Sequence, residues 1–194
     1  GSSAYKALLG LSNLQRLLKA GWTTIRVMGD GDVYYANQDI RKAIDAGIFI
    51  GPRLTGAAHY ISITGGGGDI NYFSPEQKVL ADGLIADGPE EIRKAIRKEI
   101  KYGSDWIKIM VTGAFMSVGD NPRNVSFSPE ELSAAVEEAS RQNIPVAAHA
   151  HATAGINQAV IAGARSIEHG SYLNEESIAL MVEHQTYYVP TITV

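Results

Sequence analysis

Cysteine is absent from the 194 residues. That excludes a disulfide scaffold, a cysteine nucleophile and any thiolate metal site, so a metal here must be held by His, Asp, Glu or a modified Lys. Positive charge is not in excess either: 17 basic against 21 acidic side chains give a net charge of −4, no footprint for nucleic acid or an anionic membrane. No apolar run approaches the roughly 18 residues that a membrane helix needs. The opening Gly1-Ser2-Ser3 reads as a scar or cut end, not a signal peptide. It leaves localisation open, with a soluble, cytoplasmic protein as the default. What is present suits a globular chain. Hydrophobic residues make up 45%, and 20 glycines promise many tight turns.

Short β-branched runs alternate with amphipathic helical patterns, the mark of βα units and a parallel sheet. A first helix is expected over 4–20, with Leu8, Leu11, Leu14, Leu17 and Leu18 as its apolar stripe. Strands follow near 23–28 and 53–58, with a helix capped by Asn37 between them. The stretch 59–87 breaks the rhythm with four consecutive glycines, Gly65 to Gly68, in a connection long enough to be functional. Regular alternation then resumes. Strands are expected near 106–111, 145–149, 165–169 and 187–191, separated by helices that start at Ser128-Pro129-Glu130-Glu131, Thr153 and Asn174.

About six strands and six helices in strict alternation specify a parallel α/β fold, either a barrel or an open sheet. Six strands cannot close a (β/α)₈ barrel, which takes about 250 residues. The expectation is therefore one unit, 1–194, forming an internal portion of about six βα units of a TIM-type barrel.

Lys108, His149 and His169 each lie on an expected strand, the histidines at its carboxyl end. In barrels and open α/β sheets that end carries the active site. The two histidines are separated by one helix and one connection, so they sit on adjacent strands and can meet at one ion. Neutral imidazoles are common zinc ligands. A single strand-end histidine is more often a packing residue, but two in succession, with His151 beside the first, weigh against that. Lys108 stands in the otherwise apolar run Trp106-Ile107-Lys108-Ile109-Met110-Val111, where an unpaired ammonium is costly. Either it pairs with an acid such as Asp105 or Glu168, or it is a neutral amine able to capture carbon dioxide as a carbamate that bridges two cations.

These residues resemble a family. The runs Ala20-Gly21-Trp22-Thr23-Thr24-Ile25-Arg26, Gly51-Pro52-Arg53, Ser62-Ile63-Thr64-Gly65-Gly66, Trp106-Ile107-Lys108-Ile109 with Thr112-Gly113, Ala148-His149-Ala150-His151 and Ser166-Ile167-Glu168-His169-Gly170 are similar to those of the metal-dependent amidohydrolases. The likeness is to the imidazolonepropionase-like and Xaa-Pro or Xaa-Arg dipeptidase-like branch, nearest to microbial amidohydrolases that hydrolyse ochratoxin A. The resemblance implies an amidohydrolase barrel with Zn²⁺, two ions per site in the intact enzyme, bridged by carboxylated Lys108. It makes Lys108, His149 and His169 metal ligands and catalytic residues, and turns His151 toward the substrate.

Two departures stand out. The family's His-x-His on the first strand and Asp on the eighth have no counterpart, which implies a slice holding about half of the metal ligands and inactive alone. Many relatives carry a histidine after the glycine pair, where this sequence has Gly67 and leaves Asp69 as the nearby polar residue. Arg123, in the loop after the lysine strand, is a candidate clamp for a substrate carboxylate. His59, just beyond an expected strand end, is a candidate substrate contact. His184 is expected to be solvated at a helix end. Glu168, preceding the ligand histidine, is expected to face the helices.

The leading expectation is a zinc-dependent hydrolase of amide bonds that releases a C-terminal amino acid from a small N-acyl or dipeptide-like substrate. A cyclic-amide hydrolase, a deaminase and a non-catalytic scaffold are the alternatives. The open strand edges imply a homo-oligomer.

Overall fold

A computed structural model describes residues 2–30, 34–69, 74, 76 and 83–192. The elements run in the order α1 Ser3–Lys19, β1 Thr24–Asp30, α2 Ala36–Asp45, β2 Arg53–Ser62, β3 Leu84–Ile85, α3 Gly88–Lys101 and β4 Ile107–Met110. They continue as α4 Pro129–Ser140, β5 Val146–Ala150, α5 Thr153–Ala162, β6 Ser166–His169, α6 Glu175–Glu183 and β7 Tyr187–Val189. The sheet order is β1-β2-β4-β5-β6-β7, with the two-residue β3 beside β2. Every strand pairing is parallel. Among the described residues the one antiparallel bridge, Thr112 with Val125, lies outside the named strands. This is the expected partial TIM barrel.

Local chemistry explains the element ends. Ser128 accepts from the Glu131 amide while the Glu131 carboxylate accepts from the Ser128 amide, a complete capping box. Asn174 caps α6 through the Ser177 amide. Asn37 does not cap α2, which follows Tyr35 instead; its side chain donates to the Ala57 and Ala58 carbonyls and ties the helix to β2. The leucine stripe of α1 is not a core face, for no residue of that helix is fully buried. The short β3 falls inside the stretch read as a break, because two residues are too few to show a period.

The core lies between the sheet's outer face and the helices. Ile61, Ile107, Ile109, Val146, Ala148 and Ile167 point outward onto Ile92 and Ile96 of α3, Leu132 of α4, Ile156 and Val160 of α5 and Met181 of α6, all buried. Alternation along the strands sends their neighbours to the opposite face. Register then aligns Lys108, Ala147 and Ser166 in one row and Met110, His149 and Glu168 in the next. The polar residues of the middle strands therefore share the concave side.

Candidate active site

Three imidazoles converge where β5 and β6 end. The ring centroids of His149 and His151 lie 4.5 Å apart, those of His149 and His169 4.7 Å, and those of His151 and His169 5.0 Å. His149 and His151 are two residues apart on β5 and the coil after it, so the strand period places both on the concave side. His169 should by parity point outward. Its backbone turns left-handed, at φ 75°, and the turn brings the ring back to His149. That turn also explains a correction. Glu168 faces the concave side and not the helices; its carboxylate takes two 2.8 Å bonds from the Arg26 guanidinium and one of 2.6 Å from the Ser166 hydroxyl.

The ring nitrogens are placed by their neighbours. His149 Nε2 lies 3.2 Å from the Gly113 carbonyl, which leaves Nδ1 with the free lone pair. His151 Nδ1 lies 2.9 Å from the Ser171 hydroxyl, and its amide donates to Thr112 Oγ1. His169 Nδ1 lies 2.5 Å from Thr191 Oγ1.

Lys108 is buried at 5% exposure and, among the described residues, forms no ion pair. Glu168, the acid nearest to it in the concave rows, is engaged by Arg26. Burial therefore dominates and pushes the Lys108 ammonium down to about 8, with Glu168 opposing and Arg26 assisting. The imidazoles are also held neutral. Burial and then the Lys108 charge keep His149 well below the usual histidine range, push His169 down to about 4, and lower His151. Neutral imidazoles beside an amine that can shed its proton are the protonation states a metal or a carbamate requires. Among the described residues, no group of three His, Cys, Asp or Glu side chains is itself arranged to hold a metal ion. The donor set fits one only if Lys108 contributes an anionic oxygen beside His149 and His169.

Around the cluster, the loop after β4 is pinned by Asp120, which accepts from the Ala114 amide at 2.7 Å. Phe115 meets the His151 ring edge-on at 4.6 Å, and the Arg123 guanidinium stacks 3.9 Å above the Tyr172 ring. Arg123 is thus held by a neighbour of the histidines: the Tyr172 amide donates to the His151 carbonyl. Gly67 packs under this loop. A side chain there would begin 2.9 Å from the Thr112 carbonyl oxygen, so the loop has no room for a histidine. Asp69 serves the same turn by accepting from the Gly65 amide.

His59 is not at the site. It lies within β2, not beyond it, on the helix side, where Glu99 of α3 accepts from its amide and binds its Nδ1 at 2.9 Å. Tyr35 completes that cluster with a 3.0 Å bond to Glu99, and burial and then Glu99 raise its phenol. His184 ends α6 and is exposed. Sequence reasoning missed Arg26, although a lone arginine on a strand carried a signal of the same kind as Lys108.

Residues 2–194 match the amidohydrolase family. The chain belongs to that family. It is 41% identical over 192 residues to the ochratoxinase of Aspergillus niger, covering 91% of this chain and 39% of that protein. The crystal structure of the A. niger ochratoxinase superposes with a TM-score of 0.88 at 36% identity, over 98% of this chain and 46% of the other. A Xaa-Pro dipeptidase with methionine in its active site gives 0.90 at 38% identity, over 96% and 46%. A prolidase bound to N-methylphosphonate-L-proline gives 0.87 at 34%, over 98% and 47%. The chain thus spans less than half the length of these relatives. Among the described residues no helix is long and apolar enough to cross a membrane.

Proposed function

We propose that this amidohydrolase chain carries half of a zinc-dependent site that hydrolyses the amide bond of N-acyl amino acids or dipeptide-like small molecules, ochratoxin A among them. One observation supports the reading: a buried Lys108, without an ion pair among the described residues, shares consecutive parallel strands with the clustered rings of His149 and His169. The Lys108 amine, once deprotonated, adds carbon dioxide and releases a proton, and the carbamate supplies the anion that this cysteine-free site otherwise lacks. Lys108, His149 and His169 hold the metal, which when bound polarises a carbonyl and makes water nucleophilic at neutral pH. His151 orients the substrate carbonyl. Arg123, stacked on Tyr172, pairs with the carboxylate of the departing amino acid. The relatives' activities as named, an ochratoxinase and dipeptidases acting at proline, support this substrate class. The chain self-associates through its open strand edges.

The test is metal content together with a ¹³C spectrum of protein equilibrated with labelled bicarbonate. A carbamate resonance that disappears in Lys108→Met, and metal lost in His149→Ala or His169→Ala, is the expected result. One ion per site without a carbamate points instead to a cyclic-amide hydrolase or deaminase. Unchanged metal in either histidine variant refutes the ligand set.

A further inference from the structure

β7 does more than flank β6. The Tyr188 hydroxyl donates to the His169 carbonyl at 3.0 Å. The Tyr188 ring lies against Gly170, where any side chain would begin 2.6 Å from the ring edge. Just past the strand, Thr191 Oγ1 lies 2.5 Å from His169 Nδ1. These contacts bracket a residue whose backbone is itself in the left-handed region, at φ 75°, followed by Gly170 at φ 57°. A non-glycine residue keeps that conformation only when its surroundings over-determine it. Here the surroundings are a bond to its carbonyl, a ring against its successor and a hydroxyl on its imidazole.

We infer that Thr191 and Tyr188 are positioning residues that present His169 Nε2 to a metal: Tyr188 holds the left-handed turn, and Thr191 accepts the Nδ1 proton. A neutral imidazole has one protonated and one bare nitrogen, and the hydrogen bond made by the first decides which is bare. With Nδ1–H on Thr191, the lone pair lies on Nε2. If the Thr191 hydroxyl donated instead, Nε2 would carry the proton and could not ligate. The inference rests on the metal-site reading above for the direction of this bond, since a hydroxyl can donate or accept; the contacts that hold the ring and its turn stand apart from it.

Five histidines in the chain make the ring nitrogens tractable by NMR. In ¹⁵N-histidine-labelled, metal-free protein at neutral pH, the ring signal lost in His169→Asn should show the pattern of Nδ1–H with bare Nε2. Thr191→Val should shift the balance toward Nε2–H and weaken zinc binding about tenfold in competition with a chromophoric chelator. Thr191→Ser should restore both, and Tyr188→Phe should weaken zinc while leaving the ring over Gly170. A wild-type His169 protonated on Nε2 overturns the inference, and this needs no variant to fold. So does a folded Thr191→Val with wild-type tautomer and zinc affinity. Wild-type protein that shows Nδ1–H yet binds no zinc supports the positioning and refutes the metal reading, so the two failures are distinct.

Discussion

Burial holds the three clustered histidines neutral and works against the Lys108 ammonium, and both effects have a measurable cost. Lys108 falls from its ordinary 10.5 to about 8 on burial. Its stabilising contribution is therefore present only above the unfolded value and is lost as pH falls from 10.5 to 8. At pH 7 the whole penalty is in place, on the order of 3 kcal/mol. Lys108→Met should raise the urea midpoint of the metal-free protein at neutral pH while abolishing metal uptake. A lowered midpoint would mean the ammonium has a partner. His169 runs in the same direction at lower pH. Its ring drops from 6.5 to about 4, so the folded state binds fewer protons than the unfolded chain between those values. Metal-free stability should hold above about 6.5 and decline toward 4. The decline should be shallower in His169→Asn, read from urea melts at fixed ionic strength.

At the scale of elements, Arg26 joins the first strand to the sixth across the concave side. Its guanidinium binds both Glu168 oxygens, donates to Ser166 and lies 4.8 Å over the Trp106 ring. Arg26→Met leaves a buried carboxylate unpaired and should cost about 3 kcal/mol. Adding Glu168→Leu should recover most of that loss, and a double-mutant cycle by urea denaturation checks it. Much of this architecture was legible in the sequence. The alternation of helix and strand, the capping box at Ser128 and the strand-end histidines follow from periods of 3.6 and 2.0 and from turn chemistry. What was not legible depends on partners distant in sequence. Parity assigns Glu168 to the helix side because it cannot foresee the left-handed turn at His169. His59 reads as a candidate substrate contact beyond a strand end because its partner Glu99 is 40 residues away. The leucines of α1 read as an apolar stripe, and periodicity does not say whether another element covers it.

For the whole molecule, curvature without closure is the governing fact. Among the described residues β1 pairs only with β2, and β7 only with β6. Trp22, beside β1, is 61% exposed, and Tyr187, Tyr188 and Val189 of β7 are at least 37% exposed. Beside β7 a groove of about 630 Å³ is lined by Leu173, Ile178, Met181 and Val182. Unpaired edges with apolar flanks template further pairing. Sedimentation velocity should show association that grows with protein concentration, and Val189→Lys should reduce it. Unchanged sedimentation in that variant would acquit the edge.

The strand order also sets a timetable. Each strand pairs with one made before it, so the topology allows the sheet to grow in the order of synthesis. The bond between Arg26 and Glu168 reaches across 142 residues. On a ribosome adding about 5–20 residues per second, Arg26 exists for about 7–28 seconds before its acid does. Through that interval the arginine keeps water as its counterpart, and the rows around Lys108 stay wet. The lysine thus begins as a hydrated ammonium and becomes the more acidic, buried one only when the sixth strand arrives.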